Sequence, residues 1–369
     1  MKVVIVGGGA AGLAIGWRLA QAGCVVDIVE RGLAGRGSTW AAAGMLAATA
    51  ETHGEDDAHA RFARHARTLW PVFARDLEEA SDTSIGFRLS GSLLVPSDAD
   101  HAHQLAARVP QLHERGEAAE WLDAGNLHRR EPRLSNALMG ALYAPDDAQV
   151  DNRVLGEALA TAFTRAEGVL RERCDAKSLF LVDNRVRGLV TSDGMLPADH
   201  VILAAGAWSS LLGAQQGLPP VRPAKGQMTA LVPPTGEAMP HCLIWGEGVY
   251  LVPREDSLLV GATVEDTGFE TSVSREARDR LIAGALRLMP SLAQWQCSES
   301  WAGLRPRTPD SLPVLGETAI GGLFIASGQF RNGILFAPAI ADLLRRAVFG
   351  GAADPMMRAF DPKRFQHAS

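Results

Sequence analysis

Val3-Val4-Ile5-Val6-Gly7-Gly8-Gly9-Ala10-Ala11-Gly12 is the stretch that decides the fold. A β-branched apolar run predicts a buried strand, and it ends in Gly7-x-Gly9-x-x-Gly12. Leu13, Ile15, Leu19 and Ala20 follow at helical spacing, so the reading is strand, tight turn, helix. Gly7 permits the turn, Gly9 lets the backbone approach a pyrophosphate, and Gly12 lets the helix pack close to the strand. The helix N-terminus then faces the phosphates. A second apolar run, 25–29, ends in Glu30. Its carboxylate, at the tip of the second strand, can accept from a ribose 2′-hydroxyl and argues against a 2′-phosphorylated nucleotide. The triplet, the βαβ context and the terminal acid together predict a dinucleotide cradle rather than a glycine-rich turn with no ligand.

Working outward, 369 residues at 47% hydrophobic content can bury a large core and suffice for two domains. A net charge of −6 and the lack of any sustained Lys/Arg run leave no footprint for nucleic acid or an anionic membrane. Residues 1–22 have the outline of a signal peptide, but the glycine spacing and Glu30 explain them better, and no other stretch is long enough to span a bilayer. Cys24, Cys174, Cys242 and Cys297 are scattered without a C-x-x-C pair. They read as reduced thiols rather than a disulfide framework or metal site, and predict a cytoplasmic protein.

No internal repeat, low-complexity tract or long linker interrupts the chain, so its domains are expected to interweave. Residues 33–50 are small and glycine-rich and read as a loop passing close to a ligand. Helices are expected over 58–80, 101–108, 119–128, 154–166 and 274–288, strands over 86–95 and 300–304, and a hairpin at Asp183-Asn184. The run 201–206 reads as a strand that closes the nucleotide sheet beside the first glycine turn. Four short runs, 228–232, 242–245, 249–252 and 258–261, read as antiparallel sheet. A strand over 323–327 and a helix over 333–348 complete the nucleotide domain. The expected class is α/β: a Rossmann-like dinucleotide-binding domain of residues 1–85, 140–222 and 299–369, interwoven with a substrate domain of 86–139 and 223–298. The latter is expected to be built on a mainly antiparallel sheet with helices, with the substrate cavity between the two.

Further segments carry a resemblance over almost the whole chain: Ser38-Thr39-Trp40-Ala41-Ala42-Ala43-Gly44-Met45, Pro223-Ala224-Lys225-Gly226-Gln227, Tyr250-Leu251-Val252-Pro253-Arg254, Val260-Gly261-Ala262-Thr263, Trp301-Ala302-Gly303-Leu304-Arg305-Pro306 and Gly328-Gln329-Phe330-Arg331-Asn332-Gly333. With the glycine triplet and Glu30, the chain resembles the FAD-dependent D-amino-acid oxidase family, most closely the glycine oxidases of thiamine biosynthesis. The glycine triplet is widely shared; the Trp-Ala-Gly-Leu-Arg-Pro and Phe-Arg-Asn-Gly segments in this order are far more specific.

The resemblance implies oxidation of a small amine or amino acid such as glycine or sarcosine to an imine, with hydride passing to the flavin and O2 reduced to hydrogen peroxide. The imine hydrolyses to keto acid and ammonia, or is itself the useful product in forming the thiazole of thiamine. FAD is implied at Gly7, Gly9, Ala11, Gly12, Glu30, Thr39, Ala43, Gly44, Met45, Ala176, Gly206, Gly328, Arg331, Asn332, Gly333 and Ile334. It is expected to be noncovalent, since no cysteine lies in 38–45 or 328–333.

Arg305 is the first candidate for the substrate carboxylate, because a guanidinium offers a planar fork that Lys cannot match; a structural ion pair at a domain interface is the plain alternative. Tyr250, one of two tyrosines, is expected in a strand with its ring opposite Val249 and Leu251, its phenol free to reach a carboxylate, or else simply buried. Arg331 stands beside the substrate in the family, yet an Arg before a helix can equally contact backbone or cofactor. Asn332 and Gly333 are expected to open a helix whose positive end stabilises the reduced flavin, or Asn332 caps it. Met45 matches a position near the flavin ring, though a lone Met is often core filler.

One departure stands out: many glycine oxidases carry His two residues before the tyrosine, where this chain has Gly248, and neither His241 nor His53 is an obvious substitute. That predicts a roomier or less polar pocket, accepting sarcosine or a small D-amino acid. Two rival readings are a dehydrogenase of the same fold passing electrons to another acceptor and a flavin-binding protein without turnover. Self-association into a homo-oligomer stays open.

Overall fold

The computed structural model describes residues 1–52, 56–212, 218–351 and 354–365, so His53 lies outside the described residues. The strand Lys2–Val6 lies within a six-stranded sheet ordered Val314–Glu317, Leu323–Ser327, His200–Leu203, Lys2–Val6, Val25–Val29, Val169–Arg171. Its pairings are parallel apart from the edge strand Val314–Glu317, which runs antiparallel.

Alternation along Lys2–Val6 builds two cores. Val3 and Ile5 pack with helices Ala10–Gln21, Ala58–Ser81, Asn152–Arg165 and Ala337–Val348. Val4 and Val6 pack with Leu179, Val186 and Leu189 of a three-stranded antiparallel sheet over 176–197. A sheet covered on both faces needs strands apolar on both sides, which is what Val-Val-Ile-Val supplies. The hairpin Ala176–Val182/Arg185–Thr191 turns on Asp183 and Asn184, at φ 51° and 53°, the left-handed pair of a type I′ turn.

A second sheet has eight strands: Gln296–Arg307, Arg222–Val232, Leu258–Gly261, Val249–Pro253, Leu243–Gly246, Ser92–Leu94, Gly140–Ala144, Glu120–Asp123. Only the Leu243–Gly246/Ser92–Leu94 pair is parallel. Val249 and Leu251 face the helix Arg275–Leu288, while Tyr250 and Val252 face Ala41, Ala43 and Met228 on the side of the nucleotide domain.

Several local expectations change. Residues 119–128 hold no single helix: Glu120–Asp123 is a strand, and the Asp123 carboxylate accepts from Asn126 N to cap the helix Ala124–Arg130. Of 86–95 only Ser92–Leu94 is a strand, because Gly86 and Gly91 take positive φ. The helix expected from 333 starts at Ala337, after turns through 331–336. Val314–Glu317 went unread as a strand. Gly140–Ala144 and Gln296–Arg307 belong to the eight-stranded sheet, so the expected boundaries at 140 and 299 cut through what hydrogen bonding unites.

Candidate active site

A cavity of about 460 Å³ runs between the two sheets, lined by residues from the first glycine turn to Ile334. At one end Gly7, at φ 110°, turns beneath Ala204, where a Cβ would meet the carbonyl carbon at 2.7 Å. Gly9 and Ala11 line the cavity at the start of the helix Ala10–Gln21. Gly12 does not: any side chain there would overlap Gly7 O, so it serves helix–strand packing. Thr39 Oγ1 accepts from Ala10 N at 2.9 Å and fixes the short helix Ser38–Ala41 against the turn.

Glu30 accepts from Gly8 N at 2.9 Å and Gly32 N at 2.8 Å. Each carboxylate oxygen therefore keeps acceptor capacity toward the cavity. Ala176 and Gly206 line the same end, as do Cys174 and Trp208, the latter under the guanidinium of Arg31 at 3.8 Å.

The middle of the cavity is walled by Ala43, Gly44 and Met45. Arg254 anchors them from behind, donating to Ala43 O at 2.6 Å, Asn152 Oδ1 at 3.1 Å and Gln149 Oε1 at 2.6 Å. Burial with only neutral acceptors pushes its pKa down to about 10. Asn152 in turn donates to Thr39 O and Trp40 O, both at 2.9 Å. Trp301 Nε1 donates to Ala41 O at 3.0 Å.

At the far end stand Arg305, Tyr250 and Arg331. Arg305 leaves the strand Gln296–Arg307 opposite Ala224 and donates through one terminal nitrogen to Thr263 O at 3.0 Å, with no carboxylate partner among the described residues. Tyr250 pairs with Gly261, where a Cβ would come within 2.6 Å of its ring, and packs against Trp245 at 5.4 Å. Its hydroxyl is 3.7 Å from Met228 Sδ. Burial raises the phenol pKa, against the opposing pull of Arg305 and Arg331, so it stays a neutral donor. Arg331 Nε lies 3.5 Å from Glu51 Oε1.

The segment 328–333 reaches this end because Phe330 N donates to Pro306 O at 2.8 Å, tying it to the strand that carries Arg305. Gly333 and Ile334 line the cavity, whereas Gly328 and Asn332 do not. Gly328, at φ 76°, makes the turn beside Thr308. Asn332 directs its amide to His59 Nε2 at 3.2 Å, and its carbonyl accepts from Phe336 N at 2.9 Å, while the helix Ala337–Val348 is capped at Phe336 rather than at Asn332. Gly248, at φ 69°, sits exposed in the hairpin turn before Val249 and lines no part of the cavity, so the roomier pocket expected from it has no support.

Two residues were missed. Glu51 lies at the end of a small-residue run and shows no motif. Gln329 was quoted only as part of a segment, yet its Nε2 is buried with no hydrogen-bond partner among the described residues. An orphaned donor in a cavity wall fits a ligand carbonyl. With the glycine turn and the Glu30 carboxylate at the other end, the residues present fit FAD.

Comparison with known proteins agrees. A family described as FAD dependent oxidoreductase matches residues 2–347. Glycine oxidase of Geobacillus kaustophilus is 36% identical over 352 residues, 93% of each chain. Its kind is also seen in the crystal structure of glycine oxidase from Geobacillus kaustophilus, which superposes with a TM-score of 0.93 at 35% identity, covering 98% of this chain and 99% of that one. The Bifunctional protein ThiO/ThiG of Trichormus variabilis is 35% identical over 371 residues, 99% of this chain but 55% of its own, so the chain spans about half the length of that relative. From the first glycine turn to the last helix, the chain belongs to the FAD dependent oxidoreductase family.

Proposed function

We propose that this protein oxidises glycine or another small amino acid to its imine, with O2 as the final acceptor and hydrogen peroxide as a product. The observation that carries the reading is the pairing, at one end of the cavity, of a carboxylate-free Arg305 with a neutral Tyr250 phenol. Similarity to proteins named glycine oxidase supports the same substrate class.

FAD, when bound, supplies a two-electron acceptor for the hydride of the substrate Cα. The chain's own residues do the rest. Arg305 binds the substrate carboxylate through the donors it does not spend on Thr263, and the Tyr250 hydroxyl donates to the same group. That fixes Cα and the amine relative to the wall of Ala43, Gly44 and Met45. No acid or base need act at Cα, since the amine has only to arrive unprotonated. The imine leaves to be hydrolysed or consumed, and likeness to a protein named ThiO/ThiG supports use of the imine in thiazole formation. A cytoplasmic location fits free cysteines and the lack, among the described residues, of any helix long and apolar enough to cross a membrane.

The test is anaerobic titration of the FAD-loaded protein with glycine, sarcosine and D-alanine while watching flavin absorbance, followed by air. Bleaching and recovery with peroxide is the expected result. Bleaching without recovery would assign a dehydrogenase with a separate acceptor, and no bleaching would overturn the substrate class.

A further inference from the structure

Three carboxylate residues line the cavity among the described residues: Glu30, Asp175 and Glu51. Glu30 and Asp175 belong to the end formed by the first glycine turn and Ala176. Glu51 alone stands at the Arg305–Tyr250 end, its side chain only 8% exposed. Its position is built rather than incidental. Asp147 accepts from the two preceding amides, Thr49 N at 3.0 Å and Ala50 N at 3.1 Å. Thr49 Oγ1 donates to Glu117 at 2.8 Å, and Arg108 donates to Thr52 O at 2.6 Å. The backbone on both sides of Glu51 is thus tied down, and the carboxylate is held against Arg331.

The charge balance follows. Arg331 is matched by Glu51, whereas Arg305 donates to the neutral Thr263 carbonyl and has no carboxylate partner among the described residues. Among the described residues the substrate end therefore holds two guanidiniums and one carboxylate, a net charge of +1, with the Glu51 side chain buried. A ligand with one anionic group completes neutrality there. A ligand with two brings a second negative charge to a buried carboxylate, and no further cation lines that end among the described residues to compensate it. Resting on the amino-acid reading above, we propose that Glu51 is a specificity-determining residue that restricts the site to substrates with a single anionic group and rejects dianionic ones.

The test measures binding, not turnover. The holoenzyme is titrated with glycolate, which carries one carboxylate, and with malonate, which carries two, and each Kd is read from the perturbation of the flavin spectrum. Wild type should bind glycolate and discriminate against malonate by at least about tenfold. Glu51→Gln, which removes the charge at nearly constant volume, should shrink that ratio by about tenfold, and Glu51→Asp should restore it. If Glu51→Gln does not hold FAD, Arg331→Gln tests the same rule in the opposite sense: it leaves Glu51 unmatched, so glycolate binding should weaken and the malonate penalty should grow. A glycolate/malonate ratio that these substitutions leave unchanged overturns the charge rule while leaving the amino-acid reading intact. Failure of wild type to bind glycolate at all would overturn that reading, and the rule with it.

Discussion

The guanidinium of Arg305 lies face-on against Gly226: a Cβ at that glycine would overlap Cζ and both terminal nitrogens. The two residues sit on neighbouring antiparallel strands, Arg222–Val232 and Gln296–Arg307. The small residue in Ala224-Lys225-Gly226 is therefore the floor on which the carboxylate-binding fork rests, and Gly261 plays the same part for the ring of Tyr250.

Gly226→Ala should consequently displace the fork without removing it. A charge-assisted hydrogen bond contributes roughly 1.5–3 kcal/mol, so affinity for carboxylate ligands should fall on the order of 10- to 100-fold, with FAD still bound. Kd for glycolate and KM for the amino acid report it. An unchanged Kd would mean that the guanidinium has another resting place.

Gln329→Leu should act with opposite signs on the two forms of the protein. Without FAD, the substitution removes a buried donor that has no partner among the described residues, so apoprotein stability in urea should hold or rise. With FAD, it removes a hydrogen bond, and FAD affinity should fall by about threefold to tenfold. Equal destabilisation of both forms would show that Gln329 serves packing alone.

Asp147 predicts a pH signature. Burial raises its pKa from 3.8 to about 6, against the backbone donors and Arg67 that favour its charge. Between those values the folded protein keeps a proton that the unfolded chain has released, so this group's contribution to stability falls as pH rises through the window. Above it a penalty on the order of 3 kcal/mol persists. Asp147→Asn abolishes that titration whatever constant effect the amide has. The stability lead of wild type over the variant should therefore shrink between about pH 4 and about pH 6.5. A lead independent of pH would place the Asp147 pKa in the ordinary range.

The FAD should be released by acid. Cys174 is the one cysteine lining the cavity among the described residues, and it sits beside Glu30, whose carbonyl accepts from its amide at 3.0 Å, far along the chain from Ala43–Met45 and Gln329. Acid precipitation should leave a colourless pellet and a yellow supernatant. A yellow pellet would demonstrate a covalent link.

The nucleotide half was legible because its signals are local. Glycine spacing, a terminal acid and a β-branched run fix the turn and Glu30 whatever surrounds them. Arg305 and Tyr250 were singled out through the resemblance, with side-chain chemistry and strand alternation as the physical argument, and both line the cavity. What escaped depends on contacts between distant segments. Glu51 becomes a site residue only because Asp147, about a hundred residues on, holds the backbone beside it. Asn332 failed for the converse reason: sequence puts it at a helix start, but its neighbours extend the turn and His59 takes its amide. Gly248 was singled out through the resemblance, which matches a position along the chain but does not say whether the turn holding it reaches the cavity.

The cavity wall draws on residues from Gly7 to Ile334. During synthesis the glycine turn emerges about three hundred residues before Arg305, Gln329 and Ile334. A ribosome-bound chain thus presents half a cradle throughout that interval, and the cofactor can be gripped from both sides only after the segment through Ile334 is free. Loading with FAD is then a late event that favours the finished fold over every partial one, and scarcity of flavin in the cell would be felt as a shortfall of folded protein as well as of active enzyme.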